Sequence, residues 1–390
     1  PLIVDLRFNG GGVTTELETR HAGGEYDDPG TLAEFTGRLT EELREISGDL
    51  HVLILPYEKL PDYRFEDRLV GEEHDNFGFR RVERLPGNIG YLRLDKFYNT
   101  LEAGDTAVAA MNFLAHCDAL IVDLRFNGGG DTTMAQLISS YFFDKPQLLN
   151  RCYTRHSDLT EESWTFGYVP GPRLTEVPVY ILLSRFSFSC AEGFAYELKH
   201  LGRATIVGEQ TKGGGHAVTY KSYPDDWVNI RVPVSRDINP VTGASLQGTG
   251  VAPDIKSSMH DAFATANVAA LEGLLAGESN EARKFKLQWA LDEYNAALHP
   301  TALEGDVGTG YVGQYGERAI VEMCGELVYK RPDLSSRTLL PMGGDLFTLK
   351  SERRYSSYRI QFVRDKAGAV SGFYLTDDDG DPSEIFPRSE

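Results

Sequence analysis

Residues 187–192 read Ser-Phe-Ser-Cys-Ala-Glu, at the point where an apolar run ending at Ser184 gives way to a helical pattern. A serine in that place has two ordinary uses. Its side chain can cap the helix by accepting from the amide of the third helical residue. It can also act as a nucleophile, where free backbone N–H groups and the positive end of the helix dipole would stabilise an oxyanion. Ser189 is the residue so placed. A second pattern, Asn127-Gly128-Gly129-Gly130, follows another apolar run. Consecutive glycines let the backbone approach a ligand and turn its amides toward it. The loop lacks the Lys-Ser/Thr of a phosphate-binding loop and the G-x-G-x-x-G of a dinucleotide fold. Two strand ends on neighbouring strands, each leading into a helix N-terminus, can together enclose a site for acyl transfer.

The elements that would hold these residues follow from hydrophobic periodicity. Gly90–Leu94, Ala119–Phe126, Val177–Leu183 and Ala204–Val207 read as strands, the second and third as buried ones. Helices are expected over 107–116, after Asp131 as N-cap, and over 189–201 with Gly202 as the stop. Strands alternating with helices across tight glycine turns predict a mostly parallel sheet with helices packed on it. Upstream, residues 30–47 carry Leu32, Phe35, Leu39, Leu43 and Ile46 on one helical face, and the apolar run 50–55 contains His51. Downstream, 280–298 reads as a helix, and the alternating runs beyond Tyr311 read as a small antiparallel β domain. The expected organisation is a fragment 1–12, a small helical N-terminal unit 13–60, an α/β core 76–275 and a helix plus β domain 280–390. The first fragment is a repeat: residues 2–12 and 120–130 are both LIVDLRFNGGG, although their flanks diverge after a shared Thr-Thr. No second Ser-x-x-Glu helix follows the first copy, so no second active site is expected there.

Four motifs in order carry a family resemblance. They are Ile-Val-Asp-Leu-Arg-Phe-Asn-Gly-Gly-Gly (121–130), Phe-Ser-Cys-Ala-Glu-Gly-Phe-Ala-Tyr-Glu-Leu (188–198), Gly-Arg-Ala-Thr-Ile-Val-Gly-Glu-Gln-Thr (202–211) and Gly-Val-Ala-Pro-Asp (250–254). Over roughly residues 20–270 the chain resembles the tail-specific (C-terminal processing) serine peptidases, in the branch related to interphotoreceptor retinoid-binding protein and the tricorn core protease. Asn239-Pro240-Val241-Thr242-Gly243 and Asn76-Phe77-Gly78-Phe79-Arg80 fit that branch. The resemblance implies an α/β fold with a crotonase-like ββα superhelix core. It implies Ser189 as nucleophile, an oxyanion hole from Cys190 with Gly129 or Gly130, and Asp123, Arg125 and Asn127 as residues that shape the loop.

The resemblance also bears on the base. One branch uses a lysine about 25 residues after the nucleophile, where this chain has Gly214, with Lys212 displaced from the place. The tricorn-like branch uses a histidine from the N-terminal helical unit, and His51 fits that place; His216 is the fallback. Where that branch has a supporting glutamate three residues before Gly-Val-x-Pro-Asp, this chain has Gln247, and Leu50 stands where it has a serine before the histidine. An amide positions a partner without stabilising an imidazolium by charge, and the comparable Asp-to-Asn change in a serine protease lowers turnover by roughly 10⁴-fold. The expectation is therefore a serine endopeptidase of reduced activity, acting on polypeptide or peptide and needing no metal or organic cofactor. The alternative on the same core is a non-catalytic binder of a lipophilic ligand (retinoid or fatty-acyl) or of a peptide.

Composition sets the outer bounds. The chain has 390 residues with 58 acidic against 39 basic side chains, a formal charge of −19. Nucleic acid and anionic membrane surfaces, which both ask for clustered Lys and Arg, are not expected partners. Cys117, Cys152, Cys190 and Cys324 are widely spaced and suggest neither a zinc site nor a disulfide framework. No apolar run approaches the roughly 18 residues of a membrane span, and no signal peptide is visible. The chain starts at Pro1, so it is expected to be secreted or periplasmic if an export signal was removed, and cytoplasmic otherwise. Asp377-Asp378-Asp379-Gly380-Asp381 looks like a calcium loop, but Pro382 stands at its sixth position and Arg388 at its twelfth, so a solvated turn is expected.

Overall fold

A computed structural model describes residues 12–28, 30–57, 72–223, 227–299, 308–332, 334–349 and 358–389. The repeated fragment at the N-terminus lies outside these residues, Gly12 excepted. Two compact units are present. One takes residues up to Glu83 together with Gly90–His260; the other takes Arg84–Ile89 and everything from Asp261 onward.

In chain order the first unit holds helices α1 (Gly12–Ala22) and α2 (Leu32–Ser47), strands β1 (Leu53–Pro56), β2 (Phe79–Leu85) and β3 (Ile89–Leu94), α3 (Thr100–Phe113), β4 (Ala119–Asp123) and α4 (Thr132–Ser140). Then come β5 (Leu148–Thr154), β6 (Leu159–Trp164), β7 (Val179–Leu183), α5 (Cys190–His200), β8 (Ala204–Gly208), β9 (His216–Tyr223), β10 (Val228–Ile238) and β11 (Ile255–Lys256). Six strands form one sheet in the order β11-β8-β7-β4-β3-β2, and β4, β7, β8 and β11 run parallel. Each residue of β4 is buried, which is why its sequence runs apolar rather than alternating. The main core cluster includes Leu120 and Val122 of β4, Ile181 and Leu183 of β7, Met134 and Ile138 of α4, and Phe194 and Leu198 of α5. The architecture is a mixed α/β one.

The second sheet of this unit is antiparallel, in the order β1-β10-β5-β6 with β9 also paired to β10. The expected run 50–55 contributes β1, whose Ile54 sits opposite Ile230 of β10. Helix α2 begins with a capping box, in which Thr31 and Glu34 exchange hydrogen bonds, and ends at Gly48 with φ +65°. Glycine adopts that left-handed turn without the Cβ clash. Leu39 and Leu43 of α2 pack on Val52, Ile54, Val228, Ile230 and Val232. The stop at Gly48 thus leads directly into the segment that carries His51.

The second unit begins with α6 (Ala262–Gly277) and α7 (Glu281–Leu298). Eight strands follow: β12 (Gly313–Tyr315), β13 (Arg318–Met323), β14 (Glu326–Arg331), β15 (Leu334–Gly343), β16 (Leu346–Leu349), β17 (Tyr358–Arg364), β18 (Val370–Asp377) and β19 (Phe386–Pro387). They form one antiparallel sheet in sequence order, with Tyr315, Phe347, Phe362 and Phe373 in its core. The acidic run 377–381 closes as a turn, in which the Gly380 N–H donates to the Asp377 carbonyl at 3.0 Å. Among the described residues no cluster of His, Cys, Asp or Glu is placed to hold a metal, and no helix is long and apolar enough to cross a membrane. All four cysteines are free thiols.

Candidate active site

The loop after β4 is held by a buried ion pair. Asp123 Oδ1 accepts from Arg125 Nε at 2.9 Å and Oδ2 from Arg125 Nη2 at 2.6 Å, while the Tyr91 hydroxyl donates to Oδ2 at 2.7 Å. Burial alone would raise the Asp123 carboxyl, but the guanidinium and the phenol outweigh it and hold it below the usual carboxylate range. Arg125 Nη1 donates to the Met259 carbonyl at 2.6 Å. Asn127 Nδ2 then donates to the Leu94 carbonyl at 2.9 Å, and its Oδ1 accepts from the Gly129 N–H at 2.8 Å. Its own carbonyl accepts from the Phe188 N–H at 3.0 Å, which ties the Gly-rich loop to the segment carrying Ser189.

Glycine is required here by close approach. A Cβ on Gly129 would lie 2.9 Å from the Cβ of Ser189, and one on Gly130 (φ +138°) would collide with the Phe97 carbonyl. The Gly129 N–H is committed to Asn127, so of the three expected oxyanion donors it is Gly130 and Cys190 whose amides stay open. No hydrogen bond within the described residues engages either one, and the Cys190 amide is an orphan of the first helical turn.

Ser189 is the N-cap of α5 at φ +54° and ψ −122°. A non-glycine residue in that region is strained. The conformation is held by Glu192, whose Oε2 accepts from the Ser189 N–H at 2.8 Å and from the Gly214 N–H at 2.8 Å, while Oε1 accepts from the Gly213 N–H at 2.6 Å. Ser189 and Glu192 are thus arranged as a capping box at the start of α5. Next to it, burial pushes the Cys190 thiol well above its ordinary range, so that thiol stays protonated and does not compete as a nucleophile.

A cleft of about 380 Å³ opens on Ser189, Gly130 and Cys190, with His216, Asn150, Glu197 and Asp237 also in its wall. Burial, reinforced by the neighbouring Asp237 carboxylate, raises Glu197 from 4.5 to about 8. A carboxyl raised in the folded state binds a proton that the unfolded chain has lost, so stability falls as pH rises from about 4.5 to about 8. Glu197→Gln should accordingly give a higher melting temperature at about pH 8 and a flatter pH profile than the parent chain; calorimetry across that window tests this, and an unchanged profile would refute it.

His51 is buried at 3% exposure. Its ring lies on that of Phe188, the residue before Ser189, at a centroid distance of 4.7 Å. The ring Nδ1 sits 3.3 Å from Asp49 Oδ1, and its backbone N–H donates to the same oxygen at 2.9 Å. Its Nε2 is buried with no hydrogen-bond partner. Asp49 is therefore the carboxylate at His51, and the sequence reading missed it. The two meet in a turn, in which the Val52 N–H donates to the Asp49 carbonyl at 3.3 Å, and an aspartate that accepts from the amide two residues on is a usual turn former. Leu50 between them is 41% exposed, against 1% for Asp49. His216 joins from β9, its Nδ1 2.6 Å from Asp49 Oδ2.

Gln247 has other partners than His51. Its Oε1 accepts from the Gly215 N–H at 2.8 Å and its Nε2 donates to the Gly48 carbonyl at 3.4 Å. A glutamate could still accept from Gly215, so Gln247→Glu should change kcat by less than about 3-fold, far from the roughly 10⁴-fold that separates a carboxylate from an amide at a catalytic histidine. A large rise in steady-state hydrolysis of a fluorogenic peptide would restore Gln247 as the support of the base.

Residues 88–257 match the model of peptidase family S41. Over these residues the chain is similar to the S41 peptidases. The S41 match contains Ser189, the Gly-rich loop, His216 and Gln247, and leaves Asp49 and His51 outside it. A carboxy-terminal-processing protease of Bartonella bacilliformis is 28% identical over 176 residues, covering 44% of this chain and 39% of that protein. A tail-specific protease of Haemophilus influenzae is 29% identical over 182 residues, 44% of this chain and 25% of its own. The tricorn protease of Thermoplasma volcanium is 24% identical over 180 residues, 44% of this chain and 15% of its own. Among solved structures, a photosystem II D1 C-terminal processing protease is similar at 26% identity, covering 44% of this chain and 43% of that one with a TM-score of 0.37. The matched stretch spans well under half of each of the three curated relatives.

Proposed function

We propose that the chain is a serine peptidase that cleaves peptide bonds in polypeptide or peptide substrates through an acyl-enzyme on Ser189, with His51 as the base. The observation that carries this reading is Ser189 itself. Its backbone is held at φ +54°, beside two uncommitted amides and at the wall of a cleft. A serine that only capped α5 would need none of this strain. The names of the relatives, which are proteases, point the same way.

In the first step the Ser189 Oγ–H gives its proton to His51 Nε2 while Oγ bonds to the substrate carbonyl carbon. The carbonyl oxygen becomes an oxyanion, which the open Gly130 and Cys190 amides receive in this reading. Collapse breaks the C–N bond, and the same proton passes from His51 to the leaving amine. Water then repeats the sequence to release the acid and free Ser189. The crotonase-like ββα superhelix implied by the family resemblance is the fold this proposal assumes for the core. The wall of the cleft carries Gln136, Asn150 and Asp237 beside Leu149, Val218 and Leu246, so it offers a peptide both main-chain partners and apolar contacts for side chains. The reading is tested by a fluorophosphonate, which labels activated serines, and by hydrolysis of unfolded casein. A folded chain that does neither would be a binding protein on this core.

A further inference from the structure

Asp49 has one carboxylate and two histidines. Oδ1 takes the backbone N–H and the ring Nδ1 of His51, at 2.9 and 3.3 Å; Oδ2 takes the ring Nδ1 of His216 at 2.6 Å. The carboxylate is 1% exposed. Burial alone would raise it, but the hydrogen bonds from His216 and then His51 outweigh the burial and hold it well below the usual range. Hydrogen bonding to Asp49 places a proton on Nδ1 of each ring, which leaves Nε2 of each as a bare acceptor. On His51 that nitrogen is buried and unpartnered, while His216 stands in the wall of the cleft with Ser189.

Resting on the serine-peptidase reading above, we propose that Asp49 is the positioning residue for the His51 base, and that His216, bonded to its second oxygen, holds that carboxylate in place. In the transition state His51 becomes an imidazolium, and a carboxylate on its Nδ1 both fixes the tautomer and supports that charge. His216 has the shorter contact and the more exposed ring. Other charged groups stand near the pair. Arg231 of β10 donates from Nε to the His51 carbonyl at 2.7 Å, and Arg44 of α2 from Nε to the Val52 carbonyl at 2.8 Å. Glu192 of α5 is occupied by three amides, and Asp237 of β10 acts on both rings through space.

The test starts from the parent chain, where fluorophosphonate labelling that Ser189→Ala removes establishes the serine-peptidase reading independently. On that footing, labelling rate and peptide hydrolysis are followed against pH in Asp49→Asn and His216→Gln. Asp49→Asn is isosteric and should lower kcat by about 10³–10⁴-fold with KM little changed, as expected when the wrong tautomer of the base is held. His216→Gln keeps a side-chain N–H donor for Asp49 and should lower kcat by less than about 10-fold. A folded Asp49→Asn chain of undiminished kcat overturns the proposal even if Ser189 is labelled. A second measurement does not need turnover. Nitrogen NMR of the imidazoles should show the Nδ1–H tautomer on both rings of the parent chain and its loss in Asp49→Asn; an Nε2–H tautomer on His51 of the parent chain would overturn the proposal equally.

Discussion

Ser189→Ala is expected to abolish fluorophosphonate labelling and to lower kcat for peptide hydrolysis on the order of 10⁶-fold, the loss that follows removal of a nucleophile from a comparable triad. The melting temperature should hardly move. The bond that fixes the residue comes from its backbone N–H to Glu192. Alanine keeps that donor and tolerates the strained φ about as poorly as serine does, so the folded state loses little. This pairing of a very large kinetic effect with a very small thermal one separates a nucleophile from a structural cap. For a cap, the usual cost is about 0.5–2 kcal/mol of stability. Labelling that survives in Ser189→Ala, or a loss of stability on the scale of a cap without loss of turnover, would remove Ser189 from the chemistry.

The second large effect falls on folding. Asp123 and Arg125 form a buried pair that also receives the Tyr91 hydroxyl and reaches the Met259 carbonyl. Asp123→Ala leaves the guanidinium without its carboxylate in a buried site, and breaking such a pair typically costs about 3–5 kcal/mol. Urea unfolding should show the loss as a lower midpoint. The carboxyl is held below its usual range, so its contribution is present above the unfolded-state value and fades as pH falls through the folded one. In the parent chain stability should therefore drop on acidification, and the Asp123→Ala chain should lack that component. A variant within about 0.5 kcal/mol of the parent at neutral pH would mean that Arg125 finds water or another partner. Tyr91→Phe, which removes only the phenol, should cost about 1 kcal/mol and offers a milder probe of the same cluster.

The parts that were readable in advance are those whose physics is local. β4 and β7 are short apolar runs bounded by turns, and α5 starts at Ser189 and stops beside Gly202; periodicity and caps mark all three. The antiparallel pair β9 and β10 was not anticipated, since much of β9 faces solvent and its sequence has no strict alternation. α6 escaped notice for the opposite reason: its alanines and leucines surround the helix, so no stripe stands out. At the site, Ser189, the Gly-rich loop and His51 could be named from motifs. Asp49 could not, because the expectation that the apolar residue of a strand-like segment faces inward is reversed there. Leu50 points out and its acidic and basic neighbours point in. Gln247 was assigned by its distance from a motif, and spacing along the chain says nothing about which backbone groups a side chain meets after folding.

Glu192 was described as a hydrogen-bond acceptor, but its three bonds also make it a mechanical joint. Its carboxylate fastens the backbone of Ser189 to that of Gly213 and Gly214. The chain runs on from those two glycines into His216 and β9. Any displacement of this segment by a bound substrate must either break bonds to a carboxylate or carry the serine with it. Ser189 and the part of the cleft wall that holds Gly214 and His216 are thus coupled as two ends of one lever, whose pivot is a single side chain.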